Sequence, residues 1–174
     1  AERVRRRFGT EVLAGAGERS GFEDLQARDP DAEISQYPVL QACGAPAELL
    51  AATRFAGNPV DVSLWTPPDR YLADAEVVSV GAHRLVARHT PGHTRGHFVY
   101  HDPGRTLMFT GDHVLPHITP SIGFEQLIAA SPLRDYLASL ALVRALPDAA
   151  LLPGHGPVGA SVHERVDELL EHHR

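Results

Sequence analysis

The chain contains no lysine: all 16 residues counted as Lys+Arg are arginine. Catalysis through a lysine Schiff base is therefore excluded, as is phosphate binding by a Gly-rich loop that ends in lysine. There is one cysteine, Cys43, which rules out an internal disulfide and leads us to expect a reducing compartment, the cytoplasm. Its apolar setting beside Gly44 reads as packing rather than nucleophilic work. A Gly-x-Ser-x-Gly elbow is missing, and with it the usual frame of a serine hydrolase. No apolar run is long enough to span a bilayer. The opening residues are charged and lack the apolar stretch of a signal peptide. No histidine occurs before His83, although 11 follow from there on.

What is present describes a globular protein. The 174 residues are 43% hydrophobic and 22% charged, which suits a single domain, 1–174, with a respectable core. A formal net charge of −6 argues against a nucleic-acid backbone or an anionic membrane surface as partner and leaves a small-molecule substrate. The basic cluster Arg3 to Arg7 is too short to reverse that and reads as a solvated helix face.

Val4 and Phe8 stand four apart on a first helix that Gly9 stops, and Glu11 to Gly15 follow as a short strand. Such an αβ pair is half of a βαβ unit whose first strand is not in the chain. Residues 18–66 read as a helical insertion without catalytic residue types. Ser20-Gly21-Phe22-Glu23 has capping-box spacing for a helix through Leu25 to about Arg28. Asp31 caps a second helix, interrupted by Pro38, and Pro46 to Phe55 form a third, with Leu49, Leu50 and Phe55 as core. Asn58-Pro59 and Pro67-Pro68-Asp69 mark loops.

From Ala73 onward the pattern is β. Glu76 to Val80 and Arg84 to Arg88 flank Gly81-Ala82-His83 as one hairpin. Phe98 to Tyr100 and Thr106 to Thr110 flank a turn at His101-Asp102-Pro103-Gly104 as another. Residues 114–130 read as a long loop over a pocket. Ser131-Pro132 opens a helix with the stripe Leu133, Tyr136, Leu137, Leu140 and Val143. Ser161 to Glu164 is a capping box for the last helix, on which His163, His172 and His173 are given no role.

Three apolar runs each end in glycine beside a potential ligand. Arg84 to Arg88 leads into Thr90-Pro91-Gly92-His93-Thr94-Arg95-Gly96-His97. Thr106 to Thr110 stops at Gly111-Asp112-His113, and Ala149 to Leu152 stops at Pro153-Gly154-His155-Gly156. A lone histidine at a strand end is more often a hydrogen-bonded surface or core residue than a ligand. Imidazole and carboxylate together, however, are the ligand set for zinc, or for iron or manganese in a similar site.

TPGHTRGH, FTGDH and LLPGHG resemble the later motifs of the metallo-β-lactamase-fold hydrolases, in their usual order, over the span from His83 to Pro157. The first is similar to that of hydroxyacylglutathione hydrolases. The resemblance implies an α+β fold, an αββα sandwich of two mixed sheets with helices outside and metals at the loop-bearing edge. It implies that His93 binds one metal, Asp112 bridges two and His155 binds the second, with zinc the expected ion, two per complete protein. His97 is expected to orient its neighbours, and His113 and His117 either line the pocket or are ordinary loop histidines.

The family's opening signature, His-x-His-x-Asp-His, is absent, so Ala1 is expected to fall a few residues after that loop and the chain to be incomplete at its N-terminus. Self-association, or pairing with the missing N-terminal part, is expected with it. The implied activity is hydrolysis of an ester, thioester or lactam-type bond by metal-activated water. Two alternatives stand beside it. One is a mononuclear iron persulfide dioxygenase-like oxidoreductase, which needs His93 and Asp112 but not His155. The other is a non-catalytic fragment or binding module of the same fold.

Overall fold

Two tight hairpins organise the β structure. The computed structural model describes residues 2–27, 37–53, 65–123 and 129–174. Strand β3 (Val77–Val80) turns into β4 (His83–His89) with Val80 opposite His83. The two-residue turn is possible because Gly81 adopts a φ of 58°, a left-handed value that a Cβ would oppose. β5 (Phe98–Asp102) and β6 (Leu107–Gly111) form the second antiparallel pair. β7 (Ala150–Pro153) adds to β6 in parallel, completing a five-stranded sheet in the order β3-β4-β5-β6-β7. A separate parallel pair joins β1 (Leu13–Gly15) to β2 (Arg70–Leu72).

Alternate residues of β5 face opposite ways, so one strand serves two cores. Phe98 and Tyr100 meet Leu13, Leu72, Val78 and Ala87, contributed by both sheets. Val99, with Met108 and Leu151, packs instead against two helices, α5 (Pro132–Ala145) and α6 (Val162–His172). Tyr136, Leu140 and Val143 of α5 and Val162, Val166 and Leu169 of α6 recur at helical intervals and are all buried. This is the layered α+β sandwich expected from the motifs.

The chain divides into two compact units. Val12–Arg19 and Pro68–Arg174 hold both sheets, α5 and α6; Ala1–Glu11 and Ser20–Pro67 form the other. The latter contains α1 (Glu2–Phe8), most of α2 (Arg19–Ala27), α3 (Tyr37–Ala42) and α4 (Ala47–Thr53). Hydrogen bonds from Thr66, Arg6 and Arg5 hold the Glu2 carboxyl down at about 2. No helix of the described residues is long and apolar enough to cross a membrane.

Several local expectations need correction. α2 begins at Arg19 rather than after Ser20, because a 3-10 turn over Ala16–Glu18 runs straight into it. Pro38 is the second residue of α3 as described, and the stretch from Asp31 up to it lies outside the described residues. Leu49 is 46% exposed and Cys43 is exposed in the turn after α3. Burial needs a facing apolar surface, and no residue of Tyr37–Ala42 or Ala47–Thr53 is buried. Arg28, Asp31, Arg54-Phe55 and Asn58-Pro59 lie outside the described residues. β5 runs on through His101 and Asp102, since Asp102 pairs with Leu107 and accepts a 2.7 Å bond from His83 Nδ1. Leu133 sits exposed in the first turn of α5, and Ser131 accepts the Asp135 N–H through its carbonyl, not its side chain.

The start of α6 is better secured than its capping box predicts. Ser161 Oγ accepts the Glu164 N–H at 3.1 Å and donates to Asp148 Oδ2 at 2.8 Å. Asp148 Oδ1 also accepts the N–H groups of Ala149 and His163, at 2.9 and 3.0 Å. Burial alone would raise the Asp148 carboxyl, but the bonds from His163, Ser161 and Ala149 outweigh it and hold it below the usual range. Asp148→Ala is expected to lower the folding free energy by about 1–2 kcal/mol, read as a lower urea midpoint. A depressed folded pKa contributes stability above the unfolded value and loses it as pH falls through the folded one. The gap between wild type and variant should therefore close on acidification.

Candidate metal centre

The topology brings the three motif loops to one edge. β4 and β6 are each antiparallel to β5, and β7 is parallel to β6, so all three run the same way. Their C-terminal ends carry Gly92-His93, Gly111-Asp112 and Gly154-His155. A register shift between Phe109 and Gly111 ends regular pairing of β6 with β7 just before Asp112.

At that edge the Asp112 carboxylate is divided between two imidazoles. Its Oδ2 lies 3.5 Å from His93 Nε2, and its Oδ1 lies 3.5 Å from His155 Nε2. Oδ1 is buried and has no hydrogen-bond partner. These separations are long for hydrogen bonds, which favour about 2.7–3.2 Å. They match two ligand atoms of one tetrahedral zinc, which at roughly 2.0–2.1 Å each stand about 3.4 Å apart. The residues present therefore fit two adjacent cation positions, each bounded by one imidazole nitrogen and one oxygen of a shared carboxylate. Among the described residues no group of three or more His, Cys, Asp or Glu side chains gathers where it could hold a metal ion.

Each neighbour of the carboxylate is itself held. His93 Nδ1 lies 2.7 Å from the Ser121 carbonyl and donates to it, which in the neutral ring makes Nε2 the nitrogen with a free lone pair. His97 takes the opposite posture. Its Nε2 accepts the Asp112 N–H at 3.2 Å, so its Nδ1 carries the proton, 2.9 Å from Thr90 Oγ1. Both of its nitrogens are occupied, and it orients Asp112 from behind. Burial first, with the neighbouring His93 adding to it, pushes the His97 imidazole down to about 4 against the pull of Asp112. It is neutral near pH 7, as an acceptor must be. Gly111 permits this contact, since a Cβ there would meet His97 Nε2 at 2.7 Å.

Of the other histidines singled out, His113 is fully buried, with its ring against those of His97 and Tyr136. Burial first, and then His97, drive its imidazole down to about 3. His117 is exposed and lines a groove with Pro116, Val158, Glu164 and Arg165. It does not join His93, Asp112 and His155. The sequence reading assigned no role to Thr90 within the first motif, and it missed Ser121 and Glu18, whose carboxylate bonds Thr94 Oγ1 and the Gly96 N–H. Nothing in the local sequence marks Ser121 or Glu18, because each acts from a distant segment.

The chain belongs to the metallo-beta-lactamase superfamily, whose family model matches residues 20–155. A hydroxyacylglutathione hydrolase of Fuscovulum blasticum is 37% identical over 111 residues, covering 62% of this chain and 41% of that protein. An acyl-coenzyme A thioesterase of Gallus gallus is 33% identical over 92 residues, 51% of this chain and 31% of that protein. The crystal structure of a metallo-beta-lactamase family protein from Thermus thermophilus superposes with a TM-score of 0.74 and 27% identity, over 94% of this chain and 52% of that one. The chain thus spans 41% or less of the length of these curated relatives.

Gly154 offers a direct check on the carboxylate. A Cβ there would stand 2.5 Å from Asp112 Oδ1 and 3.1 Å from the Gly111 carbonyl carbon. Gly154→Ala must therefore displace the carboxylate or its loop, at an expected cost of about 1–3 kcal/mol. Thermal unfolding of the variant measures it, and a Tm equal to that of the wild type would show that the loop has room to spare.

Proposed function

We propose that this chain supplies His93, Asp112 and His155 to a two-metal centre of a hydrolase that cleaves an ester, thioester or lactam-type bond. The observation that carries the proposal is the division of the two Asp112 oxygens between two imidazole nitrogens. The hydrolase and thioesterase relatives put thioesters first among the three bonds. Zinc suits imidazole and carboxylate ligands, and iron or manganese can occupy similar sites.

Divalent ions held there would acidify water toward neutral pH and polarise the substrate carbonyl. This chain's residues set the geometry for that chemistry. His93 presents Nε2 because the Ser121 carbonyl accepts a hydrogen bond from Nδ1. Asp112 presents both oxygens because His97 holds its backbone N–H. His155, with its side chain 73% exposed, can adjust to an incoming ion or substrate. A single-metal oxidation site would leave His155 without a role beside Oδ1, so hydrolysis at two metals is the better reading.

Two outcomes test it. In the complete protein, Asp112→Ala should abolish hydrolysis, whereas His97→Ala, which removes only an orienting contact, should cost roughly 10–100-fold. Equal activity and metal content in the two variants would sink the assignment. The 174-residue chain contributes two ligands to each position, one fewer than a catalytic zinc site normally takes from protein. It should therefore lose zinc on dialysis, and tight retention, measured by elemental analysis, would contradict the ligand count.

A further inference from the structure

Glu18 takes no part in the chemistry proposed above, yet its carboxylate reaches the loop that carries His93. Its Oε1 accepts the Gly96 N–H at 3.2 Å and also the Thr94 hydroxyl. These two bonds bracket Arg95, so both shoulders of the turn after His93 are tied to one charged oxygen. Bonds to an ionised acceptor are roughly twice as strong as neutral ones.

The backbone around Glu18 interlocks with the same turn. A Cβ at Gly17 would lie 2.4 Å from the Arg95 carbonyl oxygen, and one at Gly15 would lie 2.0 Å from that of Gly96. Side chains at either glycine would push the two segments apart. From β4, His89 Nε2 donates to the Arg95 carbonyl at 2.9 Å. Thr94 passes the constraint back along the chain, its carbonyl accepting the Gly92 N–H at 3.1 Å. His93 lies between these fixed points.

From these contacts we infer that Glu18 is a positioning residue for His93. By tying down Thr94 and Gly96 it keeps the His93 ring against Ser121, with Nδ1 on that carbonyl and Nε2 turned toward Asp112. The purpose of that posture rests on the metal-centre reading, but the posture itself can be measured without metal.

The experiment uses the 174-residue chain labelled with 15N at histidine, first metal-free and then titrated with zinc alone. In the wild type, His93 should show a single Nδ1–H tautomer, and its Nε2 resonance should move with zinc. In Glu18→Ala the His93 signals should average between tautomers, and the zinc affinity read at His93 should fall by roughly 10–100-fold. Glu18→Gln keeps an acceptor oxygen and should restore the single tautomer and most of the affinity. Thr94→Val, which removes one of the two bonds, should shift His93 in the same direction, and it serves if Glu18→Ala does not fold. A folded Glu18→Ala or Thr94→Val chain with wild-type His93 signals would overturn the inference. If zinc leaves His93 unmoved in the wild type, the metal reading fails instead, and the tautomer alone decides the role of Glu18.

Discussion

Asp112 carries a buried carboxylate oxygen with no hydrogen bond, 3.5 Å from an imidazole nitrogen of an exposed side chain. A buried acceptor left in that state costs about 1–3 kcal/mol, and more when it is charged. The fold tolerates the cost because it holds Asp112 from several sides. His97 takes its N–H, Gly111 leaves space for that imidazole, and Gly154 leaves space for the carboxylate. The surrounding structure enforces a local arrangement that leaves one carboxylate oxygen without a hydrogen bond, as happens where packing over-determines a position.

The stability that enforces it lies behind the edge. Val99, Met108 and Leu151 anchor β5, β6 and β7 on α5 and α6 in one contiguous core. That core also secures the loops themselves. Ser139 of α5 donates to the Pro91 carbonyl at 2.8 Å, and Tyr136 donates to that of His113 at 3.2 Å. A helix whose apolar stripe builds the core thus uses its polar groups to place the two loops that carry His93 and Asp112. Packing and site geometry are coupled through the same 14-residue element.

Much of the interior of the unit that holds the sheets was readable from the chain. Hairpin turns at Gly81 and around Pro103-Gly104, the helical stripe of α5 from Tyr136 onward and the Ser161 cap all follow local rules of period and turn chemistry, and all formed. Expectations failed where local propensity was the sole guide. Leu49 and Cys43 are apolar in sequence yet exposed, since burial requires a partner surface that residue type cannot supply. Ser20 had the right neighbours for a cap, but a preceding 3-10 turn had already started the helix.

The same division runs through the site. The sequence by itself determined that His93, Asp112 and His155 stand on glycine turns after strands, because that placement depends on residue type and on φ/ψ preferences within a few positions. Only the tertiary structure decided which nitrogen meets which oxygen. That choice depends on Ser121, 28 positions from His93, and on Glu18, 78 positions from Gly96. A hydrogen bond to a distant residue exists only once the strands between them have paired, so no local pattern in the chain can announce it.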